Sequence, residues 1–115
     1  MFSKRTKWIR LAESKADLIQ TFPTSGLKKL SIEGKNICLV HFNNLIFAIN
    51  DRCPHQSASL SQGSCTAEGF VVCPWHRYGF DLKNGRGPGY YTDIYEIQER
   101  PEGIFIGIKK GWLEI

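Results

Sequence analysis

Two short segments, Cys53-Pro54-His55 and Cys73-Pro74-Trp75-His76, each supply one thiol and one imidazole, at C-x-H and C-x-x-H spacing. Four such ligands in matched pairs form a metal-binding complement. A binuclear iron cluster can take both soft sulfurs on one iron and both borderline nitrogens on the other. A lone cysteine is usually a small buried hydrophobe, and a lone histidine is usually a surface or core residue. Only three histidines occur in this chain, however, and two of them follow a cysteine closely with a proline between. Zinc is the competing metal, since two cysteines and two histidines also complete a tetrahedral structural site. Its usual halves are Cys-Cys and His-His pairs, whereas both halves here are mixed.

The chemistry explains the choice of ligand. Two ferric ions, two sulfides and two thiolates sum to about zero formal charge, against about −2 with four thiolates, so the mixed centre accepts an electron more easily. Neutral imidazole also keeps an N–H on the ring nitrogen that does not bind metal, and that proton can titrate with redox state. Prolines in both segments and in Gly87-Pro88-Gly89 fix φ and stiffen the surrounding backbone.

These segments and their surroundings resemble the Rieske ferredoxin family over most of the chain. The resemblance rests on Cys53-Pro54-His55-Gln56 followed by Ser57-Ala58-Ser59-Leu60, and on Cys73-Pro74-Trp75-His76 followed by Phe80-Asp81-Leu82 and the turn Asn84-Gly85-Arg86-Gly87-Pro88. It implies one [2Fe-2S] cluster per chain, with Cys53 and Cys73 on the inner iron and His55 and His76 on the outer iron near the surface. It also implies an all-β Rieske fold of stacked antiparallel sheets over residues 1–115, with an inserted cluster-binding subdomain spanning approximately 51–88.

The departures from the family pattern are informative. Cytochrome-complex relatives carry an extra cysteine in each cluster loop and join the two in a disulfide. Here Gln56 and nearby serines stand in the first loop and Trp75 in the second, so that bridge cannot form. Those relatives also place a serine and a tyrosine hydroxyl after the second histidine, donating to sulfur. Tyr78 stands at the serine position, and Phe80, the nearest counterpart of the tyrosine, has no hydroxyl. Fewer hydrogen bonds to sulfur leave the reduced cluster less stabilised, which predicts a potential towards the lower end of the roughly −150 to +300 mV Rieske span. Ser57 and Arg77 occupy positions where the family commonly has glycine.

The elements that must position these ligands read as strands. Period-2 alternation and turn residues predict strands over 7–11, 27–33, 36–42, 45–50, 70–73, 79–82, 95–98, 104–109 and 112–115, with one short helix within 13–20. Glu33-Gly34-Lys35 and Asn43-Asn44 read as hairpin turns. The ligand segments fall between strands, so that rigid elements carry the loops. His41 alternates with Ile37 and Leu39 and reads as a structural histidine. Cys38 reads as a buried small residue, and Cys65 as a spare thiol beside an already complete ligand set.

With 115 residues, 42% of them hydrophobic, the chain has room for one domain and not for a second, catalytic one. With only His41 left over, no mononuclear iron site can be assembled, so the chain should carry electrons and leave catalysis to a partner. No secretory or membrane-spanning stretch is evident, which points to a soluble cytoplasmic protein. Its net charge of +4 equals the contribution of Lys4, Arg5, Lys7 and Arg10, a basic N-terminal arm. Such an arm reads as a solvated terminus or as a contact for an acidic redox partner. No basic stripe with interleaved aromatics suggests nucleic acid.

Three functions follow as expectations. The first is a one-electron carrier between a flavin reductase and an iron oxygenase or similar terminal enzyme. The second, also by resemblance, is the small Rieske-like subunit of an NAD(P)H-dependent nitrite reductase. The third is a zinc-stabilised binding module without redox activity.

Overall fold

The computed structural model describes residues 5–53, 58–74 and 78–110. Among the described residues the regular structure comprises nine strands, one short helix and a 3-10 turn at Leu60–Gln62: β1 (Arg5–Ala12), α1 (Lys15–Ile19), β2 (Leu27–Ile32), β3 (Lys35–Phe42), β4 (Leu45–Asn50), β5 (Ser64–Cys65), β6 (Phe70–Val72), β7 (Gly79–Asp81), β8 (Ile94–Arg100) and β9 (Gly103–Lys110). The chain divides into two units, one formed by its two ends and the other by residues 22–94.

In the unit formed by the ends, β9 pairs antiparallel with both β1 and β8. The alternation read from sequence holds: Ile104, Ile106 and Ile108 are all buried, while Lys109 is exposed. Over its described part the basic N-terminal run is a paired strand whose Arg5, Lys7 and Arg10 side chains remain exposed. Arg5, Lys7 and Arg10 lie on β1, and Arg10 donates to the Glu102 carbonyl at 3.3 Å. Arg100 places its guanidinium 4.5 Å from the Phe105 ring centroid and 4.9 Å from that of Trp8, a cation–π arrangement that keeps the charge on an apolar surface. Helix α1 is capped by Ser14, whose hydroxyl accepts from the Asp17 N–H, and it buries Leu18.

In the unit of residues 22–94, β2, β3 and β4 form an antiparallel meander. Both of its turns have two residues at positive φ: Glu33 and Gly34 at 53° and 77°, Asn43 and Asn44 at 51° and 60°. Such two-residue turns match the twist of the strands they join. Residues 37–40 of β3 are fully buried on both faces, which is why this strand lacks a polar side. His41 is half-buried with its ring 5.8 Å from that of Phe22, consistent with its structural reading. A second sheet, β5-β6-β7, is much smaller. Leu27, Cys38, Val40 and Ile49 from the meander join Val71 and Phe80 from the small sheet in one hydrophobic core.

The expected strands 7–11, 27–33, 36–42, 45–50, 70–73, 79–82, 95–98 and 104–109 all have counterparts, shifted at their ends by one or two residues. Strand β5 was not anticipated, and residues 112–115 lie outside the described residues. Among the described residues no helix is long and apolar enough to cross a membrane.

Candidate metal centre

Cys53 and Cys73 come from loops on different elements and end in the same core. Cys53 follows β4, Cys73 follows β6, and both are buried, at 1% and 0% exposure, in the cluster that also holds Leu60, Val71 and Phe80. Neither is in a disulfide, and nor are Cys38 and Cys65. His55 and His76, with Ser57, Trp75 and Arg77, lie outside the described residues.

The two loops are closed alike. The Cys53 N–H donates to the Ala58 carbonyl at 3.0 Å, and the Cys73 N–H donates to the Tyr78 carbonyl at 2.8 Å, each five residues ahead. The bridge Arg52–Ser59 lies just outside the first closure, and the pair Val72–Gly79 just outside the second. Each cysteine therefore opens a segment closed by one backbone hydrogen bond, and in sequence each segment contains one histidine.

Asp51 fixes the base of the first loop. Although charged, it is only 2% exposed. Its carboxylate accepts from the Ser61 N–H at 2.8 Å, its N–H donates to Asn36, and its carbonyl accepts from Leu60. The Lys29 ammonium stands 3.9 Å from the other carboxylate oxygen; being half-exposed, this pair contributes little by itself. A short 3-10 turn, Leu60–Gln62, follows, and the fully buried Leu60 anchors it in the core. A recess of about 280 Å³, lined by Gln62, Gly63, Ser64, Val72, Cys73 and Pro74, opens beside the second loop.

A third loop leans on the same core. Asp81 N–H donates to the Arg86 carbonyl, Thr92 N–H to Gly85 and Gly87 N–H to Tyr90, so residues 85–92 form a small hairpin with Pro88-Gly89 at its tip. Gly89 has φ +78°, and proline followed by a glycine at positive φ is the signature of a type II turn. Gly87 lies so close to the core that an added Cβ would come within 2.8 Å of the Phe80 ring.

The remaining thiols differ in kind. Burial, reinforced by the Asp51 carboxylate, pushes the Cys38 thiol up to about 12. Burial also raises the half-buried Cys65 thiol, whose Sγ lies 3.6 Å from the Thr66 carbonyl. Neither residue has the loop-mouth position of Cys53 and Cys73. Sequence reasoning missed Asp51 and the role of the 85–92 hairpin. A charged residue just ahead of the first cysteine was the available signal for Asp51.

Two sulfurs drawn from separate loops into one hydrophobic core suit a sulfide-containing cluster, which must be shielded from water. The core surrounding them is apolar, free of disulfides and closed on a third side by Gly87 and Phe80.

Comparison with known proteins agrees with this geometry. Residues 11–89 match the family model described as the Rieske [2Fe-2S] domain. The chain is 34% identical over 68 residues to a 3-phenylpropionate/cinnamic acid dioxygenase ferredoxin subunit of Photorhabdus laumondii, a match covering 59% of this chain and 64% of that relative. The chain thus spans less than two thirds of that curated relative. Its fold matches the ferredoxin of carbazole 1,9a-dioxygenase from Nocardioides aromaticivorans IC177 with a TM-score of 0.72 and 20% identity, covering 87% of this chain and 96% of the other. It also matches a protein assigned as an NADH-dependent nitrite reductase small subunit from Mycobacterium tuberculosis, with a TM-score of 0.75 and 17% identity over 90% and 96% of the two chains.

Proposed function

The chain belongs to the Rieske [2Fe-2S] domain family, and from that premise we propose that it is a one-electron carrier passing electrons from a flavin reductase to a terminal oxygenase or similar enzyme. The observation that carries this reading is the pair of buried cysteines, neither in a disulfide, at the mouths of two segments closed by the same backbone hydrogen bond. A [2Fe-2S] cluster held there would supply reversible one-electron chemistry. Cys53 and Cys73 would hold it from the core side, and His55 and His76 from the loop interiors.

The chain's own residues do the rest. Asp51 and Leu60 hold the first loop to the meander, Tyr78 closes the second, and the 85–92 hairpin covers the core through Gly87 and Phe80. Residues 51–88 act as the cluster-binding subdomain. A reducing cytoplasm suits the reading, because it keeps all four cysteines out of disulfides. The similarity to a dioxygenase ferredoxin subunit supports an oxygenase as acceptor.

The test is an EPR spectrum of the dithionite-reduced protein with iron and acid-labile sulfide measured on the same sample. A rhombic signal of low average g, lost or changed in H55C and H76C, is the expected result. A colourless protein containing zinc would overturn it in favour of a structural module. Copurification with a large protein carrying flavin and sirohaem would instead indicate a nitrite reductase subunit.

A further inference from the structure

Among the described residues four large hydrophobic side chains are more than two-fifths exposed, and three of them, Tyr90, Tyr91 and Ile94, fall within five consecutive residues. Exposed apolar groups scattered singly mean little, whereas a contiguous patch marks a contact surface. Tyr91 is 68% exposed. The two tyrosines border a recess of about 490 Å³ completed by Asn84, Arg86, Gly87 and Gly89.

Among the described residues the recess is lined by one charged side chain, the cation Arg86. Between Leu82 and Thr92 the chain carries Lys83 and Arg86 and no carboxylate, and both cations are exposed. Asp93, just beyond, is exposed but does not line the recess. Arg86 pairs through its backbone with Tyr91 across the hairpin, and both residues line the same recess. The hydrogen-bonded hairpin and its Pro-Gly tip fix this arrangement before any partner arrives, reducing the ordering cost of binding.

The patch is also tied to the candidate metal centre. The Tyr90 ring lies 6.4 Å from that of Tyr78, and the Tyr78 carbonyl closes the second ligand loop by accepting from Cys73. A protein seated on Tyr90 and Tyr91 would therefore stand next to the loop that carries His76.

We propose that Arg86, Tyr90 and Tyr91 form the docking surface for a redox partner whose contact face is acidic, with a partner carboxylate on Arg86 and the tyrosines supplying apolar contact. This rests on the electron-carrier reading and adds the face used and the charge of its partner. In each encounter one electron leaves the reduced centre and enters the partner's oxidised cofactor.

The test uses the cluster-loaded full chain, reduced and mixed by stopped flow with plastocyanin, an acidic copper protein whose Cu(II) becomes Cu(I), or with cytochrome c, a basic haem protein. R86E and Y91S are compared with K109E, which makes the same charge change as R86E at an exposed site on β9. The EPR signal and midpoint potential of each variant are recorded first. The expected result is that R86E slows plastocyanin reduction about tenfold at low ionic strength, with the difference closing as salt rises. Y91S should slow it at all salt concentrations, K109E should change it less than twofold, and R86E should not slow cytochrome c. If R86E is no slower than K109E with the cluster intact, the docking surface is refuted while the carrier reading stands. If the wild-type chain holds no reducible cluster, both fall together.

Discussion

The Asp51 carboxylate accepts a hydrogen bond from the backbone N–H of Ser61 at 2.8 Å, ten residues further along the chain. Cys53 and the whole of the first ligand loop lie between them. A buried carboxylate that bonds across a loop is costly to remove, because the N–H it leaves behind loses a charge-assisted partner. D51A should therefore lower stability by about 2–3 kcal/mol and reduce iron and sulfide per chain. In D51N the amide oxygen can still accept from Ser61, so this variant should keep most of the stability and cluster content. Chemical denaturation with metal analysis of both variants measures the two effects.

Phe80 is fully buried in the core that holds both candidate cysteine ligands. Without a hydroxyl there, the midpoint potential should lie below about +100 mV, in the lower part of the Rieske span. F80Y, which restores a donor at that position, should raise it. Redox titration followed by EPR checks both expectations, and a wild-type value above that limit would refute the first.

Gly87 admits no side chain without movement of its surroundings: a Cβ would approach the Gly79 carbonyl oxygen and the Phe80 ring, each at 2.8 Å. G87A should cost about 1–3 kcal/mol, the usual range for overpacking a tight core. Since the strain falls on Phe80, the EPR line shape should also change. A variant with wild-type stability and spectrum would show that the hairpin moves aside freely.

The Cys38 thiol, raised from 9.0 to about 12 by burial and by Asp51, makes stability depend on pH in the alkaline range. Below pH 9 the thiol is protonated in both folded and unfolded chains, and its contribution is fully present. Above pH 9 the unfolded chain loses this proton first and binds fewer protons than the folded one, so stability falls as pH rises towards about 12. Denaturant unfolding at several pH values between these limits should show a slope of at most about 1.4 kcal/mol per pH unit from this group, and C38V should remove it.

Thr92 is 4% exposed, and its hydroxyl has no hydrogen-bond partner among the described residues. Replacing an unsatisfied buried hydroxyl by a methyl of similar shape removes a desolvation cost. T92V should raise stability by about 1 kcal/mol, measurable as a higher denaturant midpoint at unchanged slope.

Long strands were legible because alternation needs length to be visible. The isoleucines of β9 announced their buried face, and the Glu33-Gly34 and Asn43-Asn44 turns announced the meander. Strand β5 has two residues, too few to alternate, and is fixed only by pairing with β6. The strand over 7–11 was legible, but its start at Arg5 was not, because the exposed basic residues there show no apolar face and are placed only by pairing with β9. The two Cys-Pro segments were local and could be read directly, and their cysteines meet in one core. The burial of Asp51 and the meeting of Arg86 with Tyr91 depend on chain reversals, and nothing in local composition signals them.

The common closure of the two ligand loops separates framework from contents. Each mouth is spanned by one backbone hydrogen bond from a cysteine N–H to the residue five positions ahead, and that bond involves no side chain between the two. If His55 and His76 hold a cluster as proposed, exchanging either would alter the electronic character of that centre without removing either of these two backbone hydrogen bonds. The loop mouths would then serve as a chassis that is indifferent to the donor placed between them.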